Sequence, residues 1–290
     1  MISLEAIDDI VTEAVIEEYW ERGYWVAPKL LDDDEIERLR AAHDRLWAGD
    51  DDYEVPSIYG KVLGDPASPA LRQQVDAFWR NAEMRRAILS PVMGKIAATL
   101  MRVNYVRLWH DQALYKPAQA GAESLSNLGN VGWHQDYGFW HSCDTTNFCS
   151  SWVALQDTDL RNGTMKMIVG SHKWGVIDGS NNDKKDMETW ADHFARLGGG
   201  EWVETPVLLK AGEVSFHHGL TFHGSGPNTT TTPRLCVISH MMPGDTRYRA
   251  GHSLHPNVAL LGPNYVDGQT FENDFFPQMW PVPEPTVRDR

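Results

Sequence analysis

The chain opens with helical spacing. Ile7, Ile10, Val11, Ala14, Val15 and Tyr19 recur at intervals of three and four, which marks one buried helical face, and Gly23 is placed to stop that helix. A short extended piece over 24–28 follows. Asp32 or Asp33 then offers an N-cap to a second helix, on which Ile36, Leu39, His43 and Leu46 share a face. Further helices are predicted over 70–79, 82–89 and 91–101, the last with proline in its first turn. From Arg102 the period shortens. Runs over 102–109, 112–116, 147–156, 165–169, 207–209, 213–216 and 234–241 read as strands, punctuated by glycine, asparagine, proline and aspartate. Many short strands with few helices between them predict a mainly β fold with α. The expected architecture is a double-stranded β-helix, a jelly roll or cupin-like barrel, flanked by N-terminal helices. We expect one domain over 1–290, with a mostly helical flank over 1–101, a jelly-roll core over 102–245 and an irregular tail over 246–290. The polar run 171–201 is too long for a turn and reads as a lid or binding loop, with Trp190 and His193 as lid candidates.

Charge narrows the partners. Twenty-six basic against 40 acidic residues give a net charge of −14, which repels phosphate backbones, so neither nucleic acid nor an anionic membrane surface is an expected partner. The cysteines Cys143, Cys149 and Cys236 form no Cys-x-x-Cys pair and read as buried free thiols, not as a disulfide framework or zinc ribbon. The first 25 residues carry acids throughout and no apolar core of a leader, and no apolar run reaches the ~18 residues of a membrane helix. A cytoplasmic monomer or homodimer acting on a small molecule is the expectation. Trp133, Phe139, Trp140, Trp152 and Trp174 crowd near the candidate ligands and predict an aromatic-walled cavity.

Those ligands are His134 and Asp136, which the strand period of two puts on one face. His-x-Asp alone is a weak signal. It gains force from His223 in Phe222-His223-Gly224-Ser225-Gly226-Pro227-Asn228 and from Arg234, eleven residues further on. Two imidazoles and one carboxylate can hold ferrous iron on one octahedral face with three positions open. An arginine alongside can grip a carboxylate with two parallel hydrogen bonds. His217 and His218 compete for the third ligand position. Adjacent residues of a strand face opposite ways, and neither is followed by an arginine-bearing strand at comparable spacing, which favours His223. His110 and Asp111 are adjacent, not alternating, so shared coordination is not expected. His172 reads as a partner of loop backbone, and His43, His240, His252 and His255 carry no spacing signal and read as structural.

Taken in order, Trp133-His134-Gln135-Asp136, Asn162-Gly163-Thr164, Gly170-Ser171-His172-Lys173, Ala211-Gly212-Glu213, His223 to Asn228 and Pro233-Arg234 form a specific set. With them the chain resembles, over residues 10–245, the phytanoyl-CoA dioxygenase family of iron(II)- and 2-oxoglutarate-dependent oxygenases. The resemblance implies iron at His134, Asp136 and His223, with 2-oxoglutarate and O2 as co-substrates. It implies that Arg234 pairs with the distal carboxylate of 2-oxoglutarate, that Ser225 adds a hydroxyl contact, and that Trp152 lies beside it. Lys116, Gln112 and Tyr115 match positions near the co-substrate. Alternation gives separate support: Ser150, Trp152 and Ala154 share one strand face, as do Arg234, Cys236 and Ile238. Phe139, Trp140 and His141, directly after the ligand pair, and Trp174, at the start of the long loop, are the expected substrate contacts.

Hydroxylation of an unactivated C–H is the commonest outcome with such ligands, although desaturation, epoxidation and ring formation use the same set. The presence of Asp136 argues against halogenation, which needs that position open. Family members act on acyl-CoA esters, compatible solutes and natural-product scaffolds. Lys184-Lys185 is the only basic pair near these residues, which speaks against a CoA nucleotide, and the aromatic cavity points to a hydrophobic or cyclic secondary metabolite. Two other readings stay open. A cupin-type metal isomerase or hydrolase would not require Arg234, and a silent jelly-roll binding module would not require the three ligands.

Overall fold

The computed structural model describes residues 1–53, 68–121, 127–180 and 186–282. Its helical flank follows the predicted faces closely. Helices α1 (Ile7–Ile10) and α2 (Glu13–Arg22) break at Val11, which shifts the phase, so the buried face is Ile7, Val11, Ile16 and Tyr19 while Ala14 is exposed. Gly23 ends α2 in the left-handed conformation (φ 84°) and donates its N–H to the Tyr19 carbonyl. After β1 (Tyr24–Ala27), α3 (Asp33–Ala48) starts from a capping box in which Asp32 and Glu35 satisfy each other's backbone N–H groups. Its Ile36, Leu39, His43 and Leu46 are all buried. Helices α4 (Ala82–Ile88) and α5 (Pro91–Met101) are capped by Asn81 and Ser90.

The predicted helix over 70–79 does not form. Arg72–Val75 is strand β2, paired antiparallel with β3 (Val106–Lys116), and Ala77–Trp79 is a single 3-10 turn. Asp111 of β3 fixes that turn by accepting the Ala77 and Phe78 N–H groups at 3.0 and 2.8 Å. Pairing across the sheet overrides the local period here.

The remaining strands are β4 (Val131–His134), β5 (Cys149–Ala154), β6 (Lys166–Ile168), β7 (Glu204–Pro206), β8 (Val214–His218), β9 (His223–Ser225), β10 (Arg234–Pro243) and β11 (Gln278–Trp280). They build two antiparallel sheets, one in the order β1-β8-β5-β10-β3-β11 with β2 on β3, the other β4-β9-β6-β7. The two runs predicted over 102–109 and 112–116 are one continuous strand. The run over 207–209 is not a strand; β7 precedes it, and Val207 and Leu209 are buried instead in the apolar layer.

Alternation sorts the large sheet. Val153, Val214, Phe216 and Val237 face the helices and join their core. Leu114, Trp152, Cys236 and Ile238 face the other way and meet Met165 and Met167 of the small-sheet side. The run 171–201 is more ordered than a loop. It carries a 3-10 turn at Ser171–Trp174 and helix α6 (Met187–Gly198), which buries Phe194 against Phe222. The pair Lys184-Lys185 lies outside the described residues. Beyond β10 the tail packs Tyr248, Val258, Phe271 and Phe276 around Trp109 and adds β11 to the edge of β3. All three cysteines are buried and free. Among the described residues no helix is long and apolar enough to cross a membrane.

Candidate metal and co-substrate site

Between the sheets lies a cavity of about 350 Å³, lined on one side by β4 and β9 and on the other by β3, β5, β8 and β10. His134 ends β4 and is paired in register with His223, which begins β9. Gln135 stays extended and Asp136 opens a 3-10 turn, so the carboxylate swings back beside the imidazole. The i, i+2 relation therefore works through a strand end and a turn, not along one uninterrupted strand. His134, Asp136 and His223 offer ligand atoms that all lie within 4.8 Å of one another.

The hydrogen bonds around this trio fix what each atom offers. His134 Nδ1 is 2.8 Å from the Gly132 carbonyl and His223 Nδ1 is 3.0 Å from the Thr221 carbonyl. A carbonyl only accepts, so both Nδ1 atoms carry the proton and both Nε2 atoms present lone pairs. These face Asp136 Oδ1 at 3.5 and 3.6 Å. Three electron pairs turned on one point repel unless a cation sits among them, and backbone carbonyls that hold ligating imidazoles in this way are the usual support of metal sites. The donor set fits ferrous iron.

The far oxygen of the carboxylate is tied down separately. Asp136 Oδ2 accepts from Ser150 Oγ at 2.7 Å and from His217 Nε2 at 3.1 Å. Burial raises the Asp136 carboxyl pKa, but the surrounding imidazoles, with His217 donating to Oδ2, outweigh it and hold the group well below its ordinary value. Burial, reinforced by His134, holds His223 well below the ordinary imidazole range, which favours the neutral, ligating form. His217 thus reaches the site through the carboxylate oxygen turned away from the other two ligands, while His218 points to the opposite side of β8 and packs against Tyr19, Trp20 and His172. His172 Nε2 bonds the Trp20 carbonyl at 2.9 Å, a backbone role like the one expected of it.

A second group lies along the same cavity. Arg234 is 2% exposed, stacks on Trp152 at 5.0 Å, and has a weak contact at 3.8 Å with Cys236 Sγ. Among the described residues no carboxylate pairs with it, and its Nε has no hydrogen-bond partner. Burial lowers its pKa. A buried guanidinium without a counter-charge is costly unless an anion arrives. The cost is compounded by register, because Arg234 lies directly across from Lys116 on β3. Lys116 does not line the cavity. Its fully buried ammonium donates to the Gly129 carbonyl, Ser225 Oγ and the Gly226 carbonyl at 2.9, 2.7 and 2.6 Å. Ser225 accepts from Lys116, so its own proton remains for a ligand in the cavity it lines. The Asn162-Gly163-Thr164 segment seals this corner: Gly163 has φ 67°, and a Cβ there would meet the Gly226 and Pro227 carbonyls at 2.7 and 2.8 Å and Lys116 Cδ at 2.9 Å.

Of the other expected contacts, Gln112, Trp152, Phe139 and Trp140 line the cavity. His141 and Trp174 do not. Phe139 and Trp140 turn in after the ligand, whereas His141 stacks behind Tyr137. Trp174 is held away by Trp202 and Phe222 and by close approach of Gly198 and Gly200. Trp190 and His193 stack on each other on α6 outside the cavity. Tyr115 faces outward, where Arg72 lies over its ring at 3.7 Å. His240 and His255, which carry no spacing signal, line the cavity, and so does His110, for which shared coordination with Asp111 was not expected. Extending the alternation Arg234, Cys236, Ile238 by one more step reaches His240, and extending Gln112 back reaches His110; this was the available signal.

The comparisons agree with this geometry. The family model for phytanoyl-CoA dioxygenase (PhyH) matches residues 19–236. The peroxisomal phytanoyl-CoA dioxygenase of Rattus norvegicus is 25% identical over 79% of this chain and 68% of that protein. Among solved structures, the carbocyclase SnoK from nogalamycin biosynthesis is 21% identical with a TM-score of 0.69, covering 93% of this chain and 97% of that one. The epimerase SnoN in complex with Fe3+, alpha-ketoglutarate and nogalamycin RO is 23% identical with a TM-score of 0.67, covering 96% and 100%. These likenesses match the two-sheet fold, and the family match spans both ligand strands and Arg234. The chain belongs to the phytanoyl-CoA dioxygenase (PhyH) family of iron(II)- and 2-oxoglutarate-dependent dioxygenases.

Proposed function

We propose that this chain hydroxylates an unactivated C–H bond of a small, hydrophobic or cyclic metabolite, as a tailoring enzyme of natural-product biosynthesis. His134, Asp136 and His223 would hold the iron, and Arg234, Ser225 and Trp152 the 2-oxoglutarate, with Lys116 fixing Ser225 and Gln112 bordering the same space. One observation carries the reading: two imidazoles of fixed tautomer and one ionised carboxylate converge beside a buried guanidinium that lacks an anion. Iron(II) with 2-oxoglutarate and O2 supplies an oxidant able to attack such a bond, yielding succinate, carbon dioxide and the hydroxylated product.

The chain's own part is positional. Arg234 grips the distal carboxylate by its forked N–H groups, Ser225 donates its remaining proton, and Trp152 walls the pair from water. Phe139, 40% exposed, stands at the rim, and the buried Trp140 forms the inner wall, so apolar ring surface would be well covered there. The cyclic-substrate reading draws further support from SnoK and SnoN, whose descriptions place them in nogalamycin biosynthesis. Either a monomer or a homodimer serves, since every group named comes from one chain. The test is 2-oxoglutarate-dependent succinate formation with iron(II), ascorbate and a panel of cyclic metabolites. Stimulation by at least one of them, lost in Asp136→Ala, is the expected result. Unchanged turnover in Asp136→Ala, or no succinate with any substrate, overturns it.

A further inference from the structure

The chain has eight glutamines, and six of them commit the side-chain amide to the fold. Gln74, Gln119, Gln135, Gln156, Gln269 and Gln278 each hydrogen-bond a backbone group, at distances from 2.6 to 3.3 Å. For the side chains of Gln73 and Gln112 no hydrogen-bond partner lies among the described residues. These two are the glutamines that line the cavity.

Strand β2 brings them together. It pairs only with β3, and its alternation turns Arg72 outward over Tyr115 while Leu71, Gln73 and Val75 line the cavity. Gln73 lies across from Leu114, and Gln112 across from Val75. The two glutamines are therefore diagonal neighbours on one face, about 7–8 Å apart, so both amides can reach one ligand group. Both side chains are half-buried. The wall around them is apolar, made of Leu71, Val75 and Leu114, with Ile238 of β10 across from Gln112. Along β3, Gln112 stands two residues from His110 and four from Lys116, in the stretch between the two ends of the cavity. Isolated polar groups in such a wall are the usual means by which a cavity orients what it binds.

We infer that Gln73 and Gln112 form an amide-recognition subsite, and that the substrate brings to it a neutral carbonyl with an adjacent N–H, as in a lactam or a secondary carboxamide. Each glutamine offers a carbonyl oxygen that only accepts and an NH2 that only donates. A lactam answers both: its N–H donates to one amide oxygen, and its carbonyl accepts from an NH2. A lactone or an N-methylated lactam has no proton to give, so the amide oxygens stay unmet. A carboxylate leaves them unmet as well, and its charge finds no cation on this patch of wall. The two amides stand on separate strands, which favours a group whose donor and acceptor are separate atoms over a single hydroxyl. Sites built around such polar groups reject analogues that lack the matching donor. The inference rests on the reading that this cavity takes the substrate. It extends that reading from a ring-shaped apolar molecule to one that carries an amide.

Ligand-observed NMR on the metal-free full chain, without 2-oxoglutarate or oxygen, makes the outcome independent of turnover. The probes share one bicyclic frame: dihydroquinolinone (a lactam), its N-methyl derivative, dihydrocoumarin (a lactone), tetralol (an alcohol) and tetralin. The lactam should bind about tenfold more tightly than each of the others. Gln73→Met and Gln112→Met, which keep the length of the side chain and remove its polar atoms, should each erase most of that preference. Because neither amide bonds to the fold, the thermal midpoint of both variants should match the parent's; a clear fall would make that glutamine structural and overturn its assignment. Absence of a lactam preference in the parent protein, including absence of all binding, overturns the inference, as does tighter binding of tetralol. So does a preference that survives undiminished in either methionine variant. Failure here with intact succinate formation removes the amide subsite alone; loss of succinate formation in the other assay removes the function on which it rests.

Discussion

The same two strands, β3 and β10, build both ends of the cavity, and they do so with opposite chemistry. At one end Arg234 faces Lys116; six residues along, His240 faces His110. At ~3.3 Å per residue those pairs stand about 20 Å apart. In the first both side chains are deeply buried, and for the Arg234 guanidinium no carboxylate partner lies among the described residues. The second is a pair of imidazoles, one hydrogen-bonded to Ser150 and the other to the Asp111 carbonyl. The two pairs thus set a guanidinium at one end of the cavity and imidazoles at the other.

The comparison is open to attack at several points. Removing the middle has the largest effect: His134→Ala or Asp136→Ala should reduce 2-oxoglutarate turnover to the background of metal-free protein, read as succinate per hour. At the charged end, Arg234→Met should raise the KM for 2-oxoglutarate by about 10²-fold, the cost of losing a buried charge-assisted pair. The same substitution should leave the thermal midpoint of the ligand-free protein unchanged or raised, because an unmet buried cation is removed. A clear drop in that midpoint would mean that Arg234 is structural. Ser150→Ala frees the far oxygen of Asp136 and should weaken metal binding 10- to 100-fold in a competition titration, as loss of an outer partner of a ligand generally does. The smallest effect is on the acid side. Burial lowers His43 to about 4 and His255 to about 3, against 6.5 in an unfolded chain. Below pH 6.5 the unfolded state takes up protons that the folded rings refuse, so stability present above that pH is lost as the pH falls towards 4. For His43 alone that amounts to about 3 kcal/mol. Urea unfolding at pH 7.5 and 5 should show the loss, and His43→Gln should reduce it by the His43 share, leaving that of His255.

How much of this was readable beforehand varies with the kind of force involved. The start and buried face of α3 and both ends of α5 were legible, because the signals are local: Asp32 before the α3 face, and Pro91 in the first turn of α5. The three metal ligands at 134, 136 and 223 and the buried guanidinium at 234 were singled out by spacing. The strands that carry two of them were not, since β4 and β9 are short and lack apolar alternation. The segment 70–79 misled because Arg72–Val75 owes its extended form to a partner strand far along the chain. Trp174 shows the limit of reasoning by proximity. It begins the segment after β6, close to the site in sequence, yet Trp202 and two glycines draw it to the other side of β9. His110 and His240 were passed over because neither was weighed against its partner across β3 and β10.

That pairing turns β10 into a ruler. One continuous run of backbone carries Arg234, proposed above to anchor the keto acid, and the His240 imidazole six residues on, and hydrogen bonds to neighbours on both sides lock its graduations. Sliding the strand by a single notch would turn every marked side chain to the wrong face. New specificities on this scaffold are therefore expected to come from exchanging what stands at positions 238 and 240 and their cross-strand partners, while the span between the two anchorages stays constant.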